Sequence, residues 1–336
     1  MRILVTGGAG YIGSVSVEAF LAAGHEVTVL DNLSTGHRAA IADGARLEMG
    51  TYADSTAVAK LLESRRIDAV LHCGAKSIVS ESMTDPAKYF RENVTGGIAL
   101  LEGMREAGVK RIVFSSTAAT YGMPERTPIS EADPIRPINA YGETKRSVEG
   151  AIRWYCHGYG FRSVILRYFN AAGASARNGE QHVPETHLIP NVLLAAEGSR
   201  SLTLFGEDYP TPDGTCVRDY IHVEDLARAH LFALEATAPT ATGIGTPEAM
   251  SEPLICNLGS GTGFSNREVV AAAEQVVGHP IPVAIGPRRA GDPPVLVASS
   301  ERARDVLAWE PLHGTIEEMI GSAWEWRQKH PGGYAE

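Results

Sequence analysis

A chain of 336 residues with ordinary apolar and charged fractions is long enough for one large α/β domain or two moderate ones. Its formal charge of −10 argues against nucleic acid and anionic membranes as main partners, so a phosphate ligand must be held by local charge and helix ends. The amino-terminal apolar run is too brief for a signal-peptide core, no run is long enough to span a bilayer, and Cys73, Cys156, Cys216 and Cys256 form no Cys-x-x-Cys pair, so reduced thiols in a cytoplasmic protein are expected.

Arg2 to Thr6 reads as a short buried strand, followed by a glycine turn and a helix through about Ala23. Such a turn lets backbone approach a pyrophosphate while the helix amino end supplies N–H donors and partial positive charge. Gly8, Gly10 and Gly13 match the dinucleotide fingerprint literally, and Gly7, Gly10 and Gly13 give a wider-spaced variant. Glu26 to Leu30 reads as a second strand ending in Asp31. An acid there suits the ribose hydroxyls of NAD and repels the extra phosphate of NADP.

The alternation continues with strands at Ala45 to Met49, Asp68 to His72, Arg111 to Ser115 and Arg162 to Arg167. Helices are expected over Ser55 to Arg65, Pro86 to Ala107 and Tyr141 to Gly158. That pattern predicts βαβ units: an α/β, Rossmann-type, doubly wound parallel sheet whose ligands lie beyond the strand carboxyl ends. Residues 1–173 are therefore expected to form the dinucleotide-binding domain. Beyond Gly173 the Pro, Gly and polar clusters of 174–223 read as a cap, giving a smaller α/β substrate-binding region over 174–336 with some segments returning to the sheet. Ala236 to Pro253 reads as an exposed loop and Leu254 to Leu258 as a strand. Gly259 to Gly263 lacks the lysine of a phosphate loop and reads as a structural turn, since Ser265 to Glu268 is a capping box opening a helix. No His-Glu-x-x-His occurs, so no metal site is expected.

Within Asn139 to Lys145, positions four apart share a helix face, which sets the Lys145 ammonium beside the Tyr141 hydroxyl. A phenol titrates near about 10, and bringing it to about 7 takes roughly 4 kcal/mol, within reach of two positive neighbours. A pyridinium ring is the natural second. Alone, Tyr-x-x-x-Lys is also what many solvated helices carry by chance.

Together, the amino-terminal glycines, Phe114-Ser115-Ser116-Thr117, Tyr141-x-x-x-Lys145, Leu166 to Asn170 and Tyr209 to Val223 resemble the extended short-chain dehydrogenase/reductase family, and within it the branch of UDP-glucose 4-epimerases. The resemblance implies reversible 4-epimerisation of UDP-glucose and UDP-galactose through a transient 4-keto sugar, with tightly bound NAD and a homodimer paired through the helices at Pro86 to Ala107 and Tyr141 to Gly158, where Trp154 and Tyr155 offer apolar surface. It makes Tyr141 the base, Lys145 its electrostatic partner and a ribose ligand, and Thr117, at a position usually held by serine, the group orienting the 4-hydroxyl. Cofactor contacts fall on Gly7, Gly10, Tyr11, Ile12, Gly13, Asp31, Asn32, Leu33, Ser34, Thr35, Gly36, Cys73, Gly74, Ala75, Lys76, Asn93 and Phe169. The family's adenine-side Asp-Ile pair lands on Thr51 and Tyr52, a departure from the pattern. Asn170, His187, Leu188, Thr203, Phe205, Arg218, Tyr220, Arg289 and Asp292 fall on the UDP-hexose side.

The residue chemistry agrees with that division. Arg218 and Arg289 are bidentate partners for a diphosphate in an acidic chain, whereas Arg288 reads equally as a solvated arginine. Phe205 and Tyr220 either flank a uracil or fill a core. His187 either donates to the sugar or caps the following helix. Leu296 stands where some family members carry a bulky tyrosine, which leaves UDP-N-acetylglucosamine or UDP-glucuronate as alternative substrates. Nucleotide-sugar 4,6-dehydratases carry an Asp-Glu pair after the active-site threonine, and this chain has Ala118 and Ala119. A nonenzymatic NAD-binding regulator would dispense with the tyrosine and lysine that are present here.

Overall fold

The computed structural model describes residues 1–239, 251–289 and 292–335. Its first strand, β1 (Arg2–Thr6), buries four of five positions because helices cover both faces of its sheet. Successive side chains alternate: Ile3 and Val5 enter one apolar cluster with Phe20 and Leu226, and Leu4 enters the opposite one with Leu100 and Ile152. α1 (Tyr11–Ala22) follows, then β2 (Glu26–Asp31), β3 (Arg46–Met49), α2 (Ser55–Ser64) and β4 (Ala69–His72). A short α3 (Val79–Thr84), not foreseen from the sequence, precedes α4 (Pro86–Tyr89) and α5 (Gly96–Glu106). Between the last two, Phe90–Thr95 winds as a π turn, so the long helix expected over Pro86 to Ala107 is not uniform.

β5 (Arg111–Thr117), α6 (Ala140–Tyr159) and β6 (Arg162–Tyr168) complete the amino-terminal run. α6 begins at Asn139, whose side chain accepts from Gly142 N–H, and ends at Gly160 in the left-handed region. Then come β7 (Asn170–Ala172), α7 (Leu188–Ala196), β8 (Leu202–Phe205), β9 (Val217–His222), α8 (Val223–Ala236), β10 (Leu254–Leu258), β11 (Gly263–Ser265), α9 (Asn266–Val277), β12 (Val283–Gly286), β13 (Val295–Leu296), α10 (Glu301–Leu307) and α11 (Ile316–Lys329). The loop expected over Ala236 to Pro253 lies largely outside the described residues. The capping box at Ser265 and Glu268 is present.

Seven parallel strands form the main sheet in the order β10-β6-β5-β4-β1-β2-β3. The order reverses between β1 and β4, which opens a crevice at their carboxyl ends. The carboxy-terminal half adds β11-β9-β13 with β7 paired to β9, the pair β12-β8, and an apolar cluster of α7, α9 and α11 residues including Ile189, Val269 and Ile320. Among the described residues no helix is long and apolar enough to cross a membrane.

Behind β5 lies a buried ion pair. Arg167 Nη2 meets Glu149 Oε2 at 2.6 Å and its Nε meets Oε1 at 3.0 Å, with side chains only 2% and 7% exposed. Ser116 donates to the same carboxylate at 2.5 Å and Tyr121 accepts from Arg167 at 3.0 Å, so the pair ties β5 and β6 to α6. Removing one partner leaves an uncompensated buried charge. Arg167→Met is therefore expected to lower unfolding free energy by about 3–5 kcal/mol, measured by urea denaturation. A variant as stable as the parent would show that the carboxylate does not depend on this arginine.

Candidate active site

The β1–α1 turn is built from backbone that tolerates no Cβ. Gly7 has φ +70°, and a Cβ there would lie 2.7 Å from the Gly74 backbone. At Gly13 a Cβ would stand 2.2 Å from the Gly7 carbonyl, whereas at Gly8 it would only press on the Val29 side chain at 2.9 Å. Gly7 and Gly13 are thus the positions where backbone forbids a side chain, while at Gly10 a Cβ would meet the Gly7 carbonyl at an ordinary 3.4 Å. α1 starts at Gly10 without any capping side chain, leaving the first-turn N–H groups around Tyr11 and Ile12 directed into the crevice. A pyrophosphate fits this cradle. Tyr11 itself turns away and donates to the Gly173 carbonyl at 2.6 Å.

At the end of β2 the buried Asp31 accepts from Ala9 N–H at 3.0 Å and Leu33 N–H at 2.8 Å, which fixes it beside the glycine turn with acceptor capacity left on each oxygen. Asn32, Ser34 and Thr35 are exposed on the loop that follows, and Gly36 passes against Ala9 so closely that a Cβ would come within 2.9 Å. Across the crevice Lys76 Nζ donates to Ser34 Oγ at 3.1 Å. Asn93, from the π turn, accepts from Lys76 N–H at 2.8 Å and donates to its carbonyl at 2.9 Å and to Thr144 Oγ1 at 3.0 Å. It clamps Cys73 to Lys76 to α6, and the widened turn is where its side chain can reach all three. Thr51 is exposed. Tyr52 is not an open adenine contact: its ring fills the notch left by Gly74 and Gly96, where a Cβ would meet it at 2.7 Å in each case, and its hydroxyl donates to the Glu92 carbonyl.

Tyr141 and Thr117 are both buried where the first turn of α6 packs on the end of β5, a Cβ on Gly142 lying 2.5 Å from the Ala119 carbonyl, and Tyr141 N–H donates to Ser82 Oγ at 3.1 Å. No hydrogen bond joins Lys145 to the phenol. Lys145 Nζ instead donates to the Ser115 carbonyl at 2.8 Å and lies 4.8 Å from the centre of the Phe114 ring. Burial pushes the Tyr141 phenol up to about 12, only partly offset by Thr117, rather than down. Helical spacing set both side chains on one face, but the nearest carbonyl, not the phenol, claims a buried ammonium.

On the opposite wall Asn170 Nδ2 donates to the Asp219 carbonyl at 2.8 Å. Arg218 is paired with Asp292 at 2.5 Å and only 13% exposed. Arg289 stacks its guanidinium 4.1 Å from the centre of the half-buried Phe205 ring, whose neighbour on β8 is the half-buried Thr203. Arg288 pairs with Asp208 and lies over Tyr209. Tyr220 is a core residue, 4% exposed. His187 precedes α7 without capping it; its Nδ1 meets Glu180 at 2.8 Å and Glu185 at 2.9 Å, and Leu188 follows half-buried. Phe169 is buried with its N–H on the Leu258 carbonyl.

Sequence reasoning passed over Asp219. Its buried carboxylate accepts from Ser260, Gly261 and Ala298 N–H, which explains the turn at Gly259 to Gly263. An acid between two residues expected on the UDP-hexose side, Arg218 and Tyr220, was the available signal.

A model of the NAD dependent epimerase/dehydratase family matches residues 3–245. The chain belongs to that family. It is 49% identical, over all of its length and 99% of the relative's, to the UDP-glucose 4-epimerase of Lacticaseibacillus casei. A crystal structure of a UDP-glucose 4-epimerase superposes with TM-score 0.94 at 44% identity, covering both chains fully. That of the Brucella ovis UDP-glucose 4-epimerase in complex with NAD superposes with TM-score 0.90 at 43% identity over 96% of this chain and 97% of the other.

Buried cations of this family site carry a measurable cost. Burial pushes Lys145 down to about 8 from 10.5. Below pH 8 both folded and unfolded chains hold the proton and the full cost of burying the charge is present. As pH rises through that window the folded amine releases its proton first, so its contribution to stability climbs by about 3 kcal/mol. Cys73 and Tyr141, both raised by burial, slope the other way. The difference between parent and Lys145→Met therefore isolates the amine. In protein stripped of nucleotide, denaturant titrations from pH 7.5 to 10 are expected to show the parent gaining on the variant, and parallel curves would contradict the burial.

Proposed function

We propose that this chain interconverts UDP-glucose and UDP-galactose through a 4-keto sugar, with residues 1–173 as the NAD-binding unit and 174–336 mainly as the nucleotide-sugar unit, Leu254–Leu258 excepted. The observation that carries the reading is that Tyr141 and Thr117 are both buried where α6 packs on the carboxyl end of β5, a Cβ on Gly142 lying 2.5 Å from the Ala119 carbonyl, at the edge of a sheet whose first turn is shaped for a dinucleotide. Bound NAD would supply the hydride acceptor and, beside the phenol, a fixed positive charge.

In this reading Thr117 holds the sugar's 4-hydroxyl and Tyr141 takes its proton, returning it after the keto sugar has turned. Lys145, with its ammonium held by Ser115, binds ribose and keeps a positive charge near the phenol. Gly7, Gly10, Tyr11, Ile12, Gly13 and Asp31 to Gly36 hold the adenosine and pyrophosphate half. Cys73 to Lys76, Asn93 and Phe169 line the nicotinamide half. Arg218 and Arg289, with Asn170, His187, Leu188, Thr203, Phe205, Tyr220 and Asp292, hold the uridine diphosphate. Anchoring by the nucleotide leaves the hexose free to rotate, so binding energy is not spent immobilising it. The likeness to UDP-glucose 4-epimerases and the absence of an acid–base pair at Ala118 and Ala119 both favour epimerisation over elimination.

Two further features belong to this reading. The free thiols suit a cytoplasmic protein. Ile98, Trp154 and Tyr159 expose 40%, 69% and 48% of their surface along α5 and α6, a face suited to a homodimer. Trp154→Asp is expected to shift the particle from dimer to monomer in sedimentation equilibrium; a parent that sediments as a monomer would refute the pairing.

Tyr141→Phe is expected to retain NAD while losing about 10²–10⁴-fold in conversion of UDP-galactose to UDP-glucose. Near-parental turnover would remove Tyr141 as the base. The same assay run with UDP-N-acetylglucosamine tests the alternative that Leu296, packed by Phe169, widens the hexose pocket.

A further inference from the structure

Outside the catalytic edge, the segment between β7 and α7 gathers Glu180, His182, Glu185 and His187, whose ligand atoms all lie within 4.8 Å of one another. Glu180 Oε1 stands 2.8 Å from His187 Nδ1 and 3.2 Å from His182 Nδ1, and Glu185 Oε1 stands 2.9 Å from His187 Nδ1. The two carboxylate side chains are more than nine-tenths buried, at 8% and 6% exposure. His182 Nδ1 is sealed from solvent and makes no hydrogen bond of acceptable geometry despite its distance to Glu180. A buried polar nitrogen aimed at a buried carboxylate without a bond to it is costly. A cation between them would remove that cost.

We propose that Glu180, His182, Glu185 and His187 form a binding site for one divalent first-row metal of the Zn²⁺ type. Zinc–ligand bonds of about 2.0–2.2 Å in a tetrahedron put neighbouring ligand atoms about 3.4 Å apart, inside the span found here. Two imidazoles and two carboxylates are a borderline donor set that favours Zn²⁺ over Mg²⁺ or Ca²⁺, which take all-oxygen shells. Two carboxylates also balance the charge of one divalent ion. Glu185 is already oriented by accepting from the N–H groups of Thr186 and His187, at 2.7 and 2.8 Å, the kind of support that holds a ligand in place. The pattern Glu-x-His-x-x-Glu-x-His escapes a search for metalloprotease spacing because its ligands come from one irregular loop rather than from one helix face. A metal there would stiffen the approach to α7; its binding does not depend on the substrate assignment, since it is measured without nucleotide.

The test uses the full chain, treated with chelator and titrated with Co²⁺ and then Zn²⁺. The expected result is one saturable equivalent, tetrahedral Co²⁺ absorption without thiolate charge-transfer bands, displacement by Zn²⁺, and a higher Tm with Zn²⁺. His182→Asn and Glu185→Gln should each weaken binding by about tenfold or more, and the double variant should abolish it. NAD content and far-UV circular dichroism report whether the variants fold. Absence of saturable binding in the parent, or undiminished binding in a folded double variant, overturns the proposal.

Discussion

The site depends on how a single ammonium is buried. Lys145 is 3% exposed at the carboxyl end of β5, where a backbone carbonyl and an aromatic face, rather than a carboxylate, receive its charge. Around it Tyr141, Tyr168 and Cys73 are all pushed toward their neutral forms by burial. Here burial disfavours the ionised forms of these acids and destabilises the Lys145 cation itself. An added positive charge in such a setting has a large lever on the phenol, because little water is present to screen it.

The same economy of charge shapes the other wall. Most candidate phosphate ligands are already engaged: Arg218 by Asp292, Arg289 by the Phe205 ring and Arg288 by Asp208. In a chain with a net charge of −10 these pairings keep arginines positioned and partly neutralised until a stronger anion competes. Asp219, held by three backbone N–H groups, joins β9 to the turn after β10 and so places Arg218 and Asn170 relative to the main sheet. Rigid backbone thus carries the orientation of this wall.

The amino-terminal half was legible because its information is local. Short apolar strands, a glycine turn, an acid at the end of β2 and an asparagine cap on α6 each lie within a few residues of what they determine. The carboxy-terminal half was not, since β7, β8, β9, β11, β12 and β13 are strands of two to six residues whose partners lie far away in sequence. Tyr52 shows a subtler failure. Its position matched an adenine contact by alignment, yet the glycines that receive its ring are at Gly74 and Gly96, and nothing local announces that fit. Lys145 shows an energetic limit: spacing gives adjacency, while burial decides which acceptor takes the ammonium's hydrogen bond.

Thr117 shows how a small change fits this frame. Its hydroxyl accepts from Ala119 N–H at 3.1 Å, which holds the rotamer, and its extra methyl costs little rotational freedom in a strand. The two alanines that follow give the hexose neither acid nor base at the positions where elimination would need them. A keto sugar in this pocket therefore has one proton partner, the phenol, and tethering by the diphosphate keeps it there. With elimination lacking a catalyst and release opposed by the nucleotide's grip, rotation followed by reduction is the route that remains open, which is why a weakly held hexose and a strongly held nucleotide belong to one design.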